Sequence, residues 1–84
     1  MTQADRISQW ANVPLSLAQL VVSKARNAHC PLKKLRSECR DHAIVAIRHR
    51  IARAAEREGY SYSAIGRALN RDHSTIMYVV KGAR

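Results

Sequence analysis

Four consecutive residues near the C-terminus carry groups that could do chemistry: Asp72, His73, Ser74 and Thr75. A carboxylate, an imidazole and two hydroxyls could supply a nucleophile and its general base. Neighbours in sequence at a helix start rarely reach the geometry of a catalytic triad, however. The same groups suit base edges, because aspartate accepts from the cytosine amino group and threonine offers a hydroxyl and a methyl. We therefore expect these residues to contact DNA bases, and we expect no enzymatic activity.

The cysteines and their histidine neighbours are the other candidates for chemistry. Cys30 and Cys39 lie near His29 and His42, but this spacing matches no standard zinc pattern. In a chain without an export signal, free thiols in a reducing compartment are the default. We expect buried or half-buried thiols, no metal site and no cofactor.

The composition indicates a small basic protein with a hydrophobic core. The 84 residues hold 15 Lys/Arg against 6 Asp/Glu, which gives a net charge of +9 and favours a polyanionic partner. A hydrophobic content of 46% excludes a disordered basic tail, and the length excludes an added ATPase module. No apolar run is long enough to span a membrane. These features predict a cytoplasmic, nucleoid-associated protein with no small-molecule substrate.

The hydrophobic pattern predicts an all-α fold of four to five helices. Residues 14–84 are assigned to one domain, and residues 1–13, which lack a clear period, to an arm or a short extra helix. Apolar residues recur every three or four positions over 15–28 and again from Ala43 to Gly59, which predicts two amphipathic helices. No segment alternates with period two, so no strand is expected.

Two good N-capping residues predict a pair of short helices in the last third of the chain. Ser61 precedes the first helix and Asp72 precedes the second, with a tight turn at Asn70 and Arg71 between them. This is the pattern of a helix-turn-helix, in which the second helix enters the DNA major groove and its first residues meet base edges. The pattern places residues 72–75 at the reading end of that helix.

The run from Ile65 to Tyr78 closely resembles the signature of the C-terminal DNA-binding domain of the bacterial replication initiator DnaA. Residues 71–75 are its most specific part, and a looser resemblance upstream extends the coverage to about residues 30–82. The chain contains no Gly-rich phosphate-binding loop of the kind found in that family's nucleotide-binding module. It therefore resembles a freestanding DnaA-like domain of the kind that a small phage or bacterial regulator uses.

The resemblance implies a role for each matching residue. Arg40 matches an arginine that enters the minor groove, whose negative potential is enhanced where A·T pairs narrow it, although Arg36 is close enough to be the equivalent. The implied base contacts in the major groove are Asp72, His73, Ser74 and Thr75. The implied contacts with the DNA backbone are Arg48, His49, Ser61, Tyr62 and Ser63, and Arg71 and Lys81 are assigned to the same group.

The expected function is sequence-specific binding of double-stranded DNA at a short A·T-containing box. The output would be transcriptional control or competition with the initiator at its boxes. Two other classes stay open, a nonspecific nucleoid- or RNA-associated basic protein and a protein-interaction module or inhibitor that reuses the fold. Sequence-independent binding with a steep salt dependence would support the first class, and no DNA binding at low salt would support the second.

Two features outside the motif also leave alternatives open. Trp10 either anchors the arm on the domain, which we favour, or contacts a protein partner or a second copy of the chain. Arg50, Arg53 and Arg57 fall on the face of their helix opposite the apolar stripe, where they are either a phosphate-binding ridge or simply a solvated face.

Overall fold

The structure is a computed structural model that describes residues 2–38 and 40–82. These residues form six α-helices, a closing π-helical turn and no strand, which confirms the all-α prediction with one helix more than expected. The helices are α1 (Gln3–Ala11), α2 (Leu15–Asn27), α3 (Leu32–Leu35), α4 (His42–Arg57), α5 (Tyr62–Leu69) and α6 (His73–Met77), and the π-helical turn is Tyr78–Gly82.

Helix α1 gives regular structure to the segment assigned as an arm or a short helix. Its start is a capping box, in which the Asp5 amide donates to Thr2 Oγ1 at 3.1 Å and the Thr2 amide donates to Asp5 Oδ2 at 3.1 Å. The Thr2 amide lowers the pKa of the Asp5 carboxyl, and so does the Thr2 hydroxyl, which donates to Asp5 Oδ2 at 2.9 Å. Ala4, Ile7 and Ala11 are buried where α1 packs against α2 and α5. Helix α1 is therefore an integral part of the packed domain.

The prediction that Trp10 anchors the N-terminal segment is wrong. Its side chain is 72% exposed, whereas Ile7 is 3% exposed. Ala4, Ile7 and Ala11 recur at the spacing of one helical stripe, and Trp10 lies at the margin of that stripe. Small residues and one isoleucine thus make the contact, and the large ring stays in solvent.

Helices α2 and α4 form close to the predicted positions and supply much of the core. Leu17 and Val21 of α2 pack with Ile51 of α4, and each is at most 1% exposed. Ile65 and Leu69 of α5 are fully buried in the same cluster. Burial of each such side chain contributes roughly 1.5–3 kcal/mol, so this cluster is the rigid support of the two C-terminal helices.

Helix α4 ends in a turn that contains Gly59. This residue has φ +97°, and its amide donates to the Glu56 carbonyl at 3.0 Å. The Tyr60 amide donates to the Ala55 carbonyl at 3.2 Å, which completes a Schellman motif. A left-handed conformation of this kind favours glycine, and it turns the chain directly toward α5.

Candidate nucleic-acid interface

Helices α5 and α6 are held together by a turn that requires a glycine at position 66. Asn70 takes up the left-handed conformation with φ 58°, and the Arg71 amide donates to the Gly66 carbonyl at 2.7 Å. A Cβ atom on Gly66 would lie 2.5 Å from the Arg71 carbonyl oxygen, well inside van der Waals contact. The missing side chain lets the turn lie directly on α5, and this close approach fixes how α6 leaves α5.

The start of α6 carries the predicted base-reading residues on the protein surface. Asp72 is the N-cap, as predicted, and its Oδ2 accepts from the Ser74 amide at 3.3 Å. His73 Nδ1 lies 3.6 Å from Asp72 Oδ1, and this contact becomes an ion pair when the imidazole is protonated. His73, Ser74 and Thr75 are exposed. Buried Ile76, 2% exposed, fixes the helix to the core beneath them.

Four of the residues predicted to contact the DNA backbone lie at or beside the start of α5. Ser61 is the N-cap, since its Oγ accepts from the Ala64 amide at 3.1 Å. Lys81 extends from the π-helical turn and places its Nζ 5.9 Å from the centroid of the half-buried Tyr62 ring. Ser63 is exposed and accepts from Arg67 Nη1 at 2.8 Å. A lysine ammonium thus lies beside the positive end of α5.

Arg48 lies in the interior, which corrects its assignment as a DNA-backbone contact. The residue is 8% exposed. Its Nε donates to the Leu35 carbonyl at 2.8 Å, and its Nη2 donates to the carbonyls of Ser37 at 2.8 Å and Lys34 at 3.2 Å. These acceptors lie at and just beyond the C-terminal end of α3, where carbonyls lack helical partners and a cation is favoured. The guanidinium therefore stabilises a helix end and is not available to a phosphate.

Two further arginines join the segment after α3 to the end of α5 and the turn that follows it. Arg36 Nε and Nη2 donate to the carbonyls of Ala68 at 2.9 Å and Arg67 at 3.1 Å, at the end of α5. Burial lowers the pKa of Arg36, which as an arginine remains cationic in proteins. Arg71 donates to the carbonyls of Asn70, at 2.9 Å, and of Ser37. We call Arg36, Arg48 and Arg71 the arginine clamp.

The clamp bears on two of the sequence-based assignments. Arg71 is half-buried and donates to protein carbonyls through two nitrogens, and its contact with the DNA backbone stays a prediction. Arg36 is engaged in the same way with the end of α5, which disfavours it as the groove-entering arginine. Arg40 is exposed. Of the two candidates for the minor groove, Arg40 is the more exposed.

A surface groove joins Arg40 to the turn before α6. Its volume is about 370 Å³, and Glu38, Arg40, Asn70 and Asp72 line it together with two arginines of the clamp. His49 is half-buried and lines a smaller crevice of about 130 Å³ between α4 and α6, which Thr75 also lines. Four of the residues predicted from the DnaA resemblance, Arg40, His49, Asp72 and Thr75, thus line two depressions next to the turn.

Other predicted features lie away from this surface. Cys30 is a buried free thiol, and Cys39 lies outside the described residues. Among the residues that the structure describes, no three His, Cys, Asp or Glu side chains are grouped so as to hold a metal ion. Arg50, Arg53 and Arg57 are exposed along α4, as their helical positions predict.

Several residues of the interface were not identified from the sequence. The close approach at Gly66 depends on a turn closed by a backbone hydrogen bond, which no spacing of side chains reveals. Arg67 joins α5 to the end of α1, because its Nε donates to the Ala11 carbonyl at 3.0 Å. Met77, 40% exposed, extends the surface of the reading helix beyond its first turn. Tyr78, 69% exposed, lies four residues after Ser74, and this spacing predicts its outward position.

Comparison with protein families gave a match on this part of the chain. Residues 46–83 match the family model of the helix-turn-helix domain. The search of curated proteins and the search of solved structures gave no match. Within the described part of the chain, no helix has the length and apolar character needed to cross a membrane. The match and the α5–turn–α6 geometry together confirm the predicted helix-turn-helix and indicate a DNA-binding domain.

Proposed function

We propose that this chain binds double-stranded DNA in a sequence-specific way and reads both grooves. The start of α6 would contact base edges in the major groove, and Arg40 would enter the adjacent minor groove. The observation that carries this proposal is the exposed, capped start of α6, joined by an open groove to an exposed arginine. The reaction is equilibrium binding, with no covalent step.

The side chains at the start of α6 suit direct reading of bases. The Asp72 carboxylate retains acceptor capacity beyond the Ser74 amide, so it can accept from a cytosine amino group. His73 and Ser74 can donate or accept, and Thr75 adds a methyl group for thymine. The four side chains therefore favour a defined order of bases over a uniform contact with phosphate.

The start of α5 suits the phosphate backbone. Helix amides at an N-terminus and a positive helix end attract phosphate, and Lys81 adds a full positive charge nearby. Ser61 and Ser63 add exposed hydroxyls. These contacts carry no sequence information, but they fix the register of α6 in the groove. His49 completes this group as a contact at the edge of α6.

The DnaA-like run at residues 65–78 supports a more specific proposal. The site would be a short, asymmetric box that contains A·T pairs, and the chain would act in the cytoplasm, on the nucleoid. Its output would be transcriptional control or competition with the replication initiator at such boxes. Arg40 supports the A·T preference, because a narrow A·T-rich minor groove attracts an inserted arginine.

The experiment that tests the proposal is selection of bound sites from random duplex DNA with the purified 84-residue chain. Enrichment of a single short motif with an A·T flank supports it. Binding without any motif, or stronger binding to RNA, supports a nonspecific basic protein instead. Absence of DNA binding at low salt would overturn the proposal in favour of a protein-interaction module.

The substitution Asp72→Asn provides the sharpest control in that selection. Asparagine caps a helix as well as aspartate does, so α6 should keep its start. An amide prefers adenine, whereas a carboxylate accepts from cytosine. We expect the preferred base at one position to change, with a discrimination of roughly 1–3 kcal/mol, while the rest of the motif is retained. An unchanged motif would exclude base reading by Asp72.

A further inference from the structure

A groove between α1 and α3 plays no part in the proposed DNA contacts. Its volume is about 250 Å³, and α1 lines it with Arg6, Ile7 and Trp10, of which Trp10 follows the other two by four and three residues. Leu32 and Lys33 of α3 line the other side. The family match begins at residue 46, so both walls belong to the part of the chain outside the matched helix-turn-helix. The groove therefore needs an explanation of its own.

The rim of this groove is basic and its floor is apolar. Arg6 and Lys33 are exposed, and the half-buried Arg36 also lines the groove. The described lining residues include no acidic side chain. Ile7 and the half-buried Leu32 form the floor, and Trp10 leaves 72% of its side chain in solvent beside them. A large exposed aromatic next to cations is the composition of an interaction surface rather than of a solvated helix face.

We propose that this groove binds an acidic segment of a partner protein, and that an apolar side chain of the segment packs against Trp10. Carboxylates of the segment would pair with Arg6 and Lys33, and the apolar side chain would cover Ile7 and Leu32. This binding is separate from the proposed reading of DNA.

Charge and packing exclude the other occupants. A second copy of the chain in a symmetric contact would bring Arg6 and Lys33 against equally charged residues. A membrane surface requires an apolar helix face, but Ala4, Ile7 and Ala11 are buried inside the protein, which leaves Trp10 alone. Single-stranded nucleic acid requires successive aromatic platforms, and this groove supplies one, above an aliphatic floor.

The test is a selection of short random peptides, displayed on phage, with the full chain as the target. We expect the enriched peptides to combine several acidic residues with one aromatic or large aliphatic residue. Trp10 is the single tryptophan of the chain, so its fluorescence reports directly on the groove. A synthetic peptide of the enriched sequence should shift Trp10 emission to shorter wavelength, because it removes the ring from water.

Matched variants separate this groove from the general positive charge of the protein. Trp10→Ala, and the double substitution Arg6→Glu with Lys33→Glu, should each weaken peptide binding by roughly tenfold or more. The control pair Arg53→Glu with Arg57→Glu makes the same change in charge on the exposed face of α4, and it should leave peptide binding within about threefold. Trp10 is exposed, so its replacement should not disturb the fold.

Several results would overturn the proposal. These are enrichment of peptides without acidic residues, no enrichment at all, equal losses in the control pair, or peptide binding that persists in Trp10→Ala. A single-stranded thymidine oligonucleotide that displaces the peptide and quenches Trp10 would reassign the groove to nucleic acid. Binding of the selected duplex DNA is measured in parallel. Retention of that binding in Trp10→Ala shows that a failure here concerns the groove alone.

Discussion

Arg48 and Arg53 lie five residues apart on the same helix, and their surroundings are opposite. Arg48 is 8% exposed, and its guanidinium donates to three carbonyls around the end of α3, whereas Arg53 lies on the solvent face of α4. One arginine thus stabilises the fold through hydrogen bonds, and the other contributes its positive charge to the protein surface. The net charge alone therefore overstates the number of positive side chains that can contact DNA.

The region around Arg48 joins the segment before Arg40 to the turn before α6. Arg48 and Arg71 both donate to the Ser37 carbonyl, and Asn70 Nδ2 donates to the Arg36 carbonyl at 2.9 Å. The segment that leads to the proposed minor-groove arginine is therefore fixed to the turn that starts the reading helix. The described residues on the solvent face of α4 make no such link. Substitutions around Arg48 should therefore lower the free energy of unfolding, whereas substitutions on the solvent face should affect DNA binding at most.

The largest effect is expected for Arg48→Ala. The substitution removes three hydrogen bonds from a charged donor inside the protein, and such bonds contribute about 1.5–3 kcal/mol each. The Ser37 carbonyl keeps its hydrogen bond from Arg71. We expect the free energy of unfolding to fall by about 3 kcal/mol, measured by chemical denaturation followed by circular dichroism. Arg48→Lys should recover only part of the loss, because an ammonium cannot reproduce the planar guanidinium fork. If the free energy of unfolding falls no further in Arg48→Ala than in Arg53→Ala, the proposed difference between the two regions is wrong.

The next effect tests the packing of the turn itself. In Gly66→Ala the new methyl group would lie 2.5 Å from the Arg71 carbonyl oxygen, so the turn must move away from α5. We expect a loss of about 1–3 kcal/mol in the free energy of unfolding, with weaker DNA binding because α6 is displaced. Gly59→Ala is the matched control. No atom lies within 4 Å of the added carbon there, and only the strain of φ +97° remains, about 1–2 kcal/mol.

The helix caps and Arg48 show where reasoning from the sequence succeeds and where it stops. Helices α2 and α4 follow from apolar stripes, and Ser61 and Asp72 were identified as caps because capping depends on neighbours in sequence. The buried state of Arg48 depends on acceptors 11 to 14 residues away, which periodicity does not locate. Periodicity places Arg48 at the edge of the apolar stripe of α4. The residue is buried only because α3 packs over that edge.

Trp10 shows the same limit at the other end of the chain. A lone tryptophan in a segment without a clear period suggests an anchor, since large aromatics usually bury much of their surface. In the structure Ala4, Ile7 and Ala11 already fill the contact of α1 with the domain. The exposure of Trp10 depends on which small residues fit between α1, α2 and α5, and this packing is a property of the assembled core.

A smaller and more selective effect is expected for Arg40→Ala. Arg40 is exposed, so the free energy of unfolding should change by less than about 0.5 kcal/mol. Affinity for the selected site should fall by roughly 1–2 kcal/mol, and the A·T preference at one flank should relax while the major-groove positions keep theirs. Repeating the site selection with this variant measures the change. A uniform loss without any change of motif would make Arg40 a phosphate contact only.

The smallest effect is expected for Arg53→Ala, which tests the solvent side of the comparison. The residue is exposed on α4, so its replacement should change the free energy of unfolding by less than about 0.5 kcal/mol. If the exposed face of α4 is a phosphate-binding ridge, affinity should fall equally for the selected site and for random duplex DNA, and the salt dependence should decrease by about one unit of slope. If that face is only solvated, neither quantity should change. Titration of both DNAs over a range of salt concentrations decides between these results. A change of sequence preference in Arg53→Ala would contradict both, because it would place base reading on a helix face that lies opposite the core and outside the helix-turn-helix pair.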